Sequence, residues 1–504
     1  MTDELPAKPN ATPLPATHPA PRLKPIDRTQ SELRPFALDD LIDVAHPARG
    51  IWEFLGHVEL SGFKEDILAV EGRAGQATWD PRLLVALWLY GYSRGMGSAR
   101  EISRSCEHEP GLRWLCGDRP VNYHTLSDFR VKHAEALRGL MIDVLGVLSH
   151  EGLIGLEQVA HDGTRVRAVA SSGSFHRQAT IDEHLAAAKA QVEAVEKEAA
   201  EESSSGRKAA RERAAEQRRQ RLEAARQKLQ ELQANKVDKE KAQVRVSESE
   251  PEARIMKMAD GGFAPAYNAQ VSTDGRAGII IQAELSTMGS DYPHLVPAVD
   301  QIREDFGRVP DQVLSDGGFV SRENIIALDG KTDLIGPYDE EGKNSEEQRK
   351  RQGISEAFAV SMFLYDPVRN QLVCPAQKRL VQISRRSRVG RMEYTYQGAA
   401  RECGACVHKA QCCPKTASRS VLRLVEDQAV ERHRRKMQSE AVKLLYKKRA
   451  EIAEFPFCWI KEKFGFRRFH VRGLSKARLE LWWITLAYNV QQWLRVTWSA
   501  AGAI

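Results

Sequence analysis

No stretch of this chain approaches the ~18–20 consecutive apolar residues that a membrane helix requires. The two most apolar segments, LLVALWLYGY and LWWITLAYNV, are much shorter and read as buried helices. The N-terminal segment MTDELPAKPNATPLPATHPAPRLKP is rich in Pro and Ala but has no apolar centre. That excludes a secretory signal peptide and predicts a disordered tail over residues 1–33. Cysteine is sparse, with 8 in 504 residues. So few thiols exclude a disulfide scaffold and point to a reduced, cytoplasmic protein with no membrane partner. An excess of one charge is also missing overall, because the formal net charge is only +6.

The small excess is unevenly placed. From Lys378 to Arg423 there are eleven Lys/Arg against two Glu. From Arg207 to Arg245 there are thirteen against six Asp/Glu. Basic stretches on a near-neutral chain suggest surfaces for a polyanion, with nucleic acid first; the bland alternative is a solvated charged face. The length allows about three domains.

Residues 34–155 read as helical. DPRLLVALWLYGYSRGM has apolar residues at helical spacing behind an Asp-Pro start. Short helices followed by HTLSDFR resemble a helix-turn-helix variant, with His124, Ser127 and Arg130 near the start of a recognition helix. EQVAHDGTRVRAVAS then reads as a strand. Residues 179–257 change to Ala, Glu, Arg, Lys and Gln. Leu185, Ala188, Val192, Val195 and Ala199 keep 3-4-3-4 spacing, as do Leu222, Ala225, Leu229 and Leu232. With SSSG at Ser203 to Gly206 between them, they predict an inserted antiparallel helical hairpin. AYNAQVST and RAGIIIQAELST, joined by DGRAG, predict a β-hairpin. The expected order is strand, insertion, strand, strand, helix, strand, helix, strand, with the core in 156–178 and 258–340. A basic insertion (341–425) and a C-terminal helical part (426–504) follow. The fold class is therefore α/β with a mixed sheet.

DGGF occurs twice, at Asp260 to Phe263 and at Asp316 to Phe319. The first precedes its strand and needs to be no more than a turn. The second ends a strand, where a carboxylate enters the crevice in which ligands bind on such sheets. Its two glycines leave the side chain uncrowded. Asp316 is the candidate, against the plainer role of a helix cap. Asp162, in the first strand, joins it if that strand is central. Paired carboxylates suit Mg²⁺, which takes a few carboxylates plus water and phosphate oxygens. Two ions about 3.5–4 Å apart serve phosphodiester chemistry.

A third acid lies in YKKRAEIAEFPFCWIKEKFGFRRFHVRG. With Asp162, Asp316 and Glu454 in this order, the chain resembles the DDE insertion-sequence transposases. Their third acid lies in Tyr-x2-Arg followed by Glu-x6-Lys, matched here by Tyr446, Arg449, Glu454 and Lys461. Glu451 is the competing acid, because the Arg449–Glu454 spacing is one residue longer than the commonest form. Only Glu454 has Lys seven residues on. RPFALDDL, YHTLSDFR and FGFRRFHVRGL add to the resemblance, which covers nearly the whole chain from Arg34. It implies a ribonuclease-H-like catalytic core and a helical N-terminal DNA-binding domain. Asp162, Asp316 and Glu454 would hold Mg²⁺, with two ions and Mn²⁺ as a substitute. Tyr446, Arg449, Lys461, Arg467 and Arg468 would contact DNA. The implied partners are double-stranded DNA, as transposon end and target, and further copies of the chain in a homodimer or larger assembly. The implied location is the bacterial nucleoid. Pro456 predicts a kink or helix restart just after Glu454, with Phe455, Phe457 and Trp459 packing.

Cys374 is followed by Cys403-x2-Cys406-x5-Cys412, with Cys413 adjacent. C-x2-C with two further thiols is a zinc-ligand pattern. Cys374, Cys403, Cys406 and Cys412, with Cys413 and His408 as substitutes, are expected to bind structural Zn²⁺ and hold an insertion lacking its own core. Cys106, Cys116 and Cys458 are expected to be buried. The favoured activity is strand cleavage and strand transfer at the ends of an insertion sequence. The rival is a non-catalytic or domesticated DNA-binding protein, which gains nothing from three convergent acids. A nuclease without strand transfer is a third reading.

Overall fold

Helices α1 (Pro47–Phe54), α2 (Pro81–Ser93) and α4 (Pro110–Leu115) begin with proline behind a capping side chain, in a computed structural model of the chain. His46 Nδ1 accepts from the Ala48 amide at 3.2 Å, Asp80 from Arg82 at 2.8 Å, and Glu109 from Leu112 at 2.7 Å. Proline fits the first helical position because its missing N–H would be unpaired there anyway. α3 (Ala99–Ser105), α5 (Tyr123–Lys132) and α6 (Ala134–His150) complete the N-terminal helices. The structure describes residues 37–65, 77–201, 206–234, 236–338, 348–388, 391–425 and 428–498, with residues 29, 35 and 67. The expected tail, apart from Thr29, and Ser203 to Ser205 of the SSSG turn lie outside the described residues.

Strand β1 (Gln158–Arg167) opens the main sheet. After β2 (Phe175–His176) come the long helices α7 (Gln178–Glu201) and α8 (Gly206–Ala234), then α9 (Asp238–Lys241). β3 (Val246–Ser247) returns to pair with β2, closing the root of this hairpin. Leu185, Ala188 and Leu222 form one seam of the hairpin, and Ile181, Ala225, Leu229 and Val246 another. The sheet continues with β4 (Arg254–Lys257), β5 (Phe263–Asp274) and β6 (Ile280–Ser286). Then come α10 (Leu295–Phe306), β7 (Gln312–Ser315), α11 (Arg322–Leu328) and β8 (Asp333–Ile335). β4 pairs with β5 at Arg254 to Lys257. The core sheet therefore resumes before residue 258, inside the range expected for the insertion.

β1 is central. It runs antiparallel to β5, with Asp162 opposite Val271, and parallel to β7, with His161 opposite Ser315. β7 runs parallel to β8, and β4 and β6 both pair with β5 on its far edge. In chain order along the β6-β5-β1-β7-β8 path, the third, second, first, fourth and fifth strands lie side by side.

The basic segment after residue 341 departs from expectation. It forms a second sheet, β9 (Leu364–Asp366), β10 (Gln371–Val373), β11 (Arg379–Arg388), β12 (Arg391–Gly398) and β13 (Ser420–Val425). All its pairings are antiparallel, and it has its own apolar cluster around Phe358, Phe363, Leu372, Leu380, Tyr396 and Val421. Two short helices, α12 (Ala400–Gly404) and α13 (Lys409–Cys412), sit between β12 and β13. The segment therefore has a core of its own despite the arginines that made it look coreless.

α14 (Gln428–Gln438), α15 (Glu440–Cys458) and α16 (Leu474–Trp493) end the fold. α15 passes through Pro456 without breaking. The irregularity comes one turn later, as a π-helical turn over Trp459–Lys463. Pro456 is buried; Phe455, though exposed, packs on Trp459 with ring centres 5.6 Å apart, whereas Cys458 is exposed against the burial expected of it. No helix among the described residues is long and apolar enough to cross a membrane.

The N-terminal helices do not form a core of their own. One apolar cluster runs from Phe54, Trp88 and Leu140 through Trp483 and Tyr488 of α16 to Tyr267 and Ile281 of the main sheet. Inside it Glu480 is fully buried and accepts from Tyr92 Oη at 3.2 Å and from the His470 amide at 2.8 Å. Arg130 Nη1 lies 3.5 Å from Glu480 and donates to the Gly97 carbonyl at 2.8 Å. Its guanidinium also stacks 4.5 Å above Trp88. Arg130 is therefore a buried strut, not the base-reading side chain expected from HTLSDFR, because only 7 % of its side chain reaches solvent. Removing one member of a buried pair strands the other charge. Arg130→Ala is expected to destabilise the fold by about 3–5 kcal/mol, read by denaturant unfolding. An unchanged midpoint would show that the pair carries no stability.

Candidate active site

Asp162 lies within β1 and not in an Asp-Gly turn. The strand pleats His161 to the opposite face, where it is fully buried between Ser272 Oγ at 2.9 Å and Gln270 Oε1 at 3.2 Å. Burial pushes this imidazole down to about 4, so it stays neutral. Asp316 follows the last residue of β7, one step beyond the His161–Ser315 pair. Its Oδ1 accepts from the Gly318 amide at 2.8 Å, which fixes the turn. Phe319 of the same DGGF packs edge-on against His161 with ring centres 4.8 Å apart. The turn is thereby pinned to the strand that carries Asp162. The first DGGF is a surface turn, with Gly261 at φ +83 and an exposed Asp260 ion-paired to Arg167 at 3.2 Å.

α15 delivers the third acid. Ala453, Ile452 and Tyr446 pack on Ala160, Leu314 and Ile335, which lie on β1, β7 and β8. Gly275 helps that approach, because a Cβ there would lie 2.9 Å from Ile452 Cδ1. Glu454 is 65 % exposed at the edge of this contact. Arg449 joins the first acid to the third, with Nη1 3.4 Å from Asp162 and Nη2 3.7 Å from Glu454. Glu451 is exposed. Asp162, Asp316 and Glu454 do not close within 4.8 Å of one another.

Sequence reading missed Asp291, which precedes the single 3₁₀ turn before α10. It accepts from Asn268 Nδ2 at 2.7 Å, Gln270 Nε2 at 3.2 Å and Arg165 at 3.2 Å. Its charge, with that of Asp316, bears on Asp162. Following Gly-Ser at a helix start, it reads as an ordinary cap, and only the folded sheet brings it here. Burial is the main reason Asp162 sits above the ordinary carboxylate range; the Gly163 amide and Arg449 pull it back, and Asp316 and Asp291 add to the rise.

Lys461, on the π-helical turn, donates to Thr164 Oγ1 at 2.6 Å. Burial holds it below the ordinary lysine value, with Arg467 adding to that effect. Arg467 and Arg468 are exposed. Their backbone lies beside the end of β1 as an isolated parallel bridge to Arg167, with the Phe469 amide donating to the Arg167 carbonyl at 2.9 Å. Tyr446 is half-buried in packing, and Arg449 faces the acids, so neither presents a free surface for DNA. His124 is exposed and Ser127 half-buried on α5.

Cys374, Cys403, Cys406, Cys412 and Cys413 line one cavity of about 20 Å³, together with Lys409 and Arg419. That is room for about one water-sized sphere. Burial pushes the Cys412 thiol up to about 12, with Cys413, Cys374 and Cys403 also bearing on it. The cysteines therefore converge, although no three sulfurs come within 4.8 Å of one another. His408 stacks near Phe358, with ring centres 5.4 Å apart.

Comparison with known families finds two matches. Residues 373–494 match the family described as transposase DDE domain, and residues 36–132 match transposase domain (DUF772). Two separate segments of the chain are therefore similar to transposase families, one near each end, and the C-terminal one is similar to DDE transposase domains. No curated protein matches it. Among solved structures, a piggyBac transposase synaptic complex with hairpin DNA is similar at 9% identity and TM-score 0.30. The likeness covers 91% of this chain and 77% of that one. At that score it carries no weight here.

The raised Asp162 has a consequence for stability. The native state holds this proton more tightly than the unfolded chain does. The associated stability is complete below the ordinary carboxylate range and is lost as pH rises through the raised value. Asp162→Asn is therefore expected to raise the melting temperature at neutral pH by about 2 °C, with chelator present. The gap should close in acid, where wild-type Asp162 is itself protonated. A gap that does not change with pH would show that the ionised carboxylate is not penalised.

Proposed function

We propose that this chain is a transposase that cuts DNA at the ends of an insertion sequence and joins the freed ends to target DNA, using Asp162, Asp316 and Glu454 to hold Mg²⁺. The observation that carries this reading is the parallel β1–β7 pairing, which sets Asp162 beside the turn of Asp316, with Glu454 tied to Asp162 through Arg449. The main sheet would be a ribonuclease-H-like core. Its support is the strand order, with a three-strand antiparallel half and a parallel extension meeting at β1.

The donor set fits the metal. All three groups are carboxylates, the hard oxygen donors that Mg²⁺ prefers, and a cationic guanidinium already lies between two of them. Bound there, Mg²⁺ would supply Lewis acidity and lower the pKa of an attacking water. In the first step water attacks a phosphodiester, giving a 5′-phosphate and a free 3′-hydroxyl. In the second, that hydroxyl attacks a target phosphodiester and displaces a 3′-oxygen. One ester bond forms as one breaks, so no energy-rich cofactor is needed. Asp162, inside β1, and Asp316, just past the end of β7, would orient the reacting centre from a rigid sheet. Arg449 balances the acids before metal arrives. Lys461, Arg467 and Arg468 would engage DNA phosphates at the end of β1, and His124 and Ser127 would touch DNA from α5. Cys374, Cys403, Cys406 and Cys412, with Cys413 or His408 as a substitute, would hold structural Zn²⁺ against the second sheet. Two transposon ends need two active sites, so the working form would be a homodimer or larger assembly.

Asp316→Asn should lower Mg²⁺-dependent cleavage of an end-sequence duplex by at least about 10²–10³-fold, the scale on which a lost electrostatic group shows. Binding to the same duplex should persist. Asp260→Asn, which loses only an exposed ion pair, should cleave normally. Full cleavage by the Asp316 variant would end this assignment.

Phosphate contacts release counterions, so affinity should fall steeply with salt. Replacing both Arg467 and Arg468 with Ala should weaken binding to all duplexes and flatten the log–log salt slope by roughly one to two units. A titration across salt concentrations on end and random duplexes reads this. An unchanged slope would remove the segment from the interface.

A further inference from the structure

At the root of the inserted helical hairpin, three metal-ligating side chains that take no part in the acidic site meet. His176 ends β2, His184 lies in the second turn of α7, and Glu248 follows β3. Their ligand atoms all lie within 4.8 Å of one another. His184 Nδ1 is 2.7 Å from Glu248 Oε2, and His176 Nε2 is 4.0 Å from the same oxygen. The two imidazoles stand nearly perpendicular, 73° apart, with ring centres at 5.4 Å. We propose that His176, His184 and Glu248 form a divalent transition-metal site, with Zn²⁺ as the fitting ion, that clamps the entry and exit of the helical hairpin.

The donor set argues for the ion. Two imidazoles and one carboxylate are a zinc set, and they leave a fourth position for water. Bonds of about 2.0–2.1 Å in a tetrahedron put ligand atoms about 3.3 Å apart. The observed 2.7 and 4.0 Å straddle that value. All three side chains are between a quarter and about a third exposed, so an ion reaches them from solvent.

The position supplies a reason for a clamp. Glu248 lies 64 residues from His184 along the chain, and among the described residues the strand pairing that closes this loop is the two-residue β2–β3 ladder. The seams above it are small, Ile181 with Val246, Ala225 and Leu229, then Leu185 with Ala188 and Leu222. Small units with thin cores gain most from a metal staple. The site would set the angle at which a long basic arm leaves the main sheet. It is independent of the Mg²⁺ chemistry proposed above.

The test uses the full chain with Cys403→Ser and Cys406→Ser, which removes the other zinc candidate, stripped with chelator and titrated with Zn²⁺ and Co²⁺. One equivalent should bind, and the Co²⁺ form should show visible d–d bands without a sulfur charge-transfer band. If the double variant does not fold, the same d–d bands are sought in wild type, beside those of the thiolates. His184→Gln or Glu248→Gln should weaken binding about 100-fold, at or beyond the cost of losing an outer-shell partner. Zn²⁺ at ten times its dissociation constant should slow proteolysis within residues 206–234 about ten-fold, since binding depletes the open root by that factor. No bound equivalent, affinity unchanged in the His184 variant, or cleavage indifferent to Zn²⁺ would each overturn the proposal.

Discussion

The backbone ladder between β1 and β7 is the constraint on which the rest depends. Because it is parallel, its hydrogen bonds bring together residues far apart in sequence and set two strand ends at one level. A slip of one residue would turn Asp162 to the face now held by His161. His161 guards against this, since its imidazole is fully enclosed, neutral, and matched to Ser272, Gln270 and Phe319. The same pleat that buries His161 on one side presents Asp162 on the other.

Electrostatics at the site are arranged around a shortage of positive charge. Asp162, Asp316 and Asp291 influence one another, and Arg449 is the cation set between Asp162 and Glu454. Burial already disfavours the charged form of Asp162. The site is thus strained toward accepting a cation, which is how a metal centre differs from an ion pair built for stability. Of the neighbouring cations, Lys461 bonds Thr164 of β1 and feels the Asp162 charge, while Arg467 and Arg468 flank the end of β1.

Much of this was legible in the sequence, and the misses share a cause. Asp316 drew attention as a carboxylate at a strand end beside a glycine turn, and Asp162 as one on a strand expected to be central, whereas Glu454 was singled out only by the resemblance of its Tyr446, Arg449 and Lys461 context. The hairpin was legible from its heptads, and the strand–helix alternation of the main sheet from its periodicity. Asp291 was not, because nothing local distinguishes a helix-capping Asp from one that faces two others across a sheet. Arg130 was misread because a polar residue on a short helix looks exposed until α16, more than three hundred residues later, covers it. Pro456 was overweighted. A proline removes one hydrogen bond, and the following π turn absorbs the mismatch. The second sheet was hidden by its basic composition, because strands so rich in arginine read as a coreless insertion.

The shared core has a consequence for how the protein is made. α1 to α6 leave the ribosome well before the surface they pack against, Trp483, Ile484 and Tyr488 on α16. At about 5–20 residues per second, the helices wait roughly 20–60 s with Trp88 and its neighbours uncovered. The main sheet waits too, because β6 rests on the same helix through the Asn489 side chain, which bonds the backbone of Ile280 in both directions. A ribosome that stops before residue 474 therefore releases a chain with two unfinished halves, a substrate for proteases and chaperones. Completion of α16 acts as a checkpoint on synthesis: only a chain that includes it closes this core.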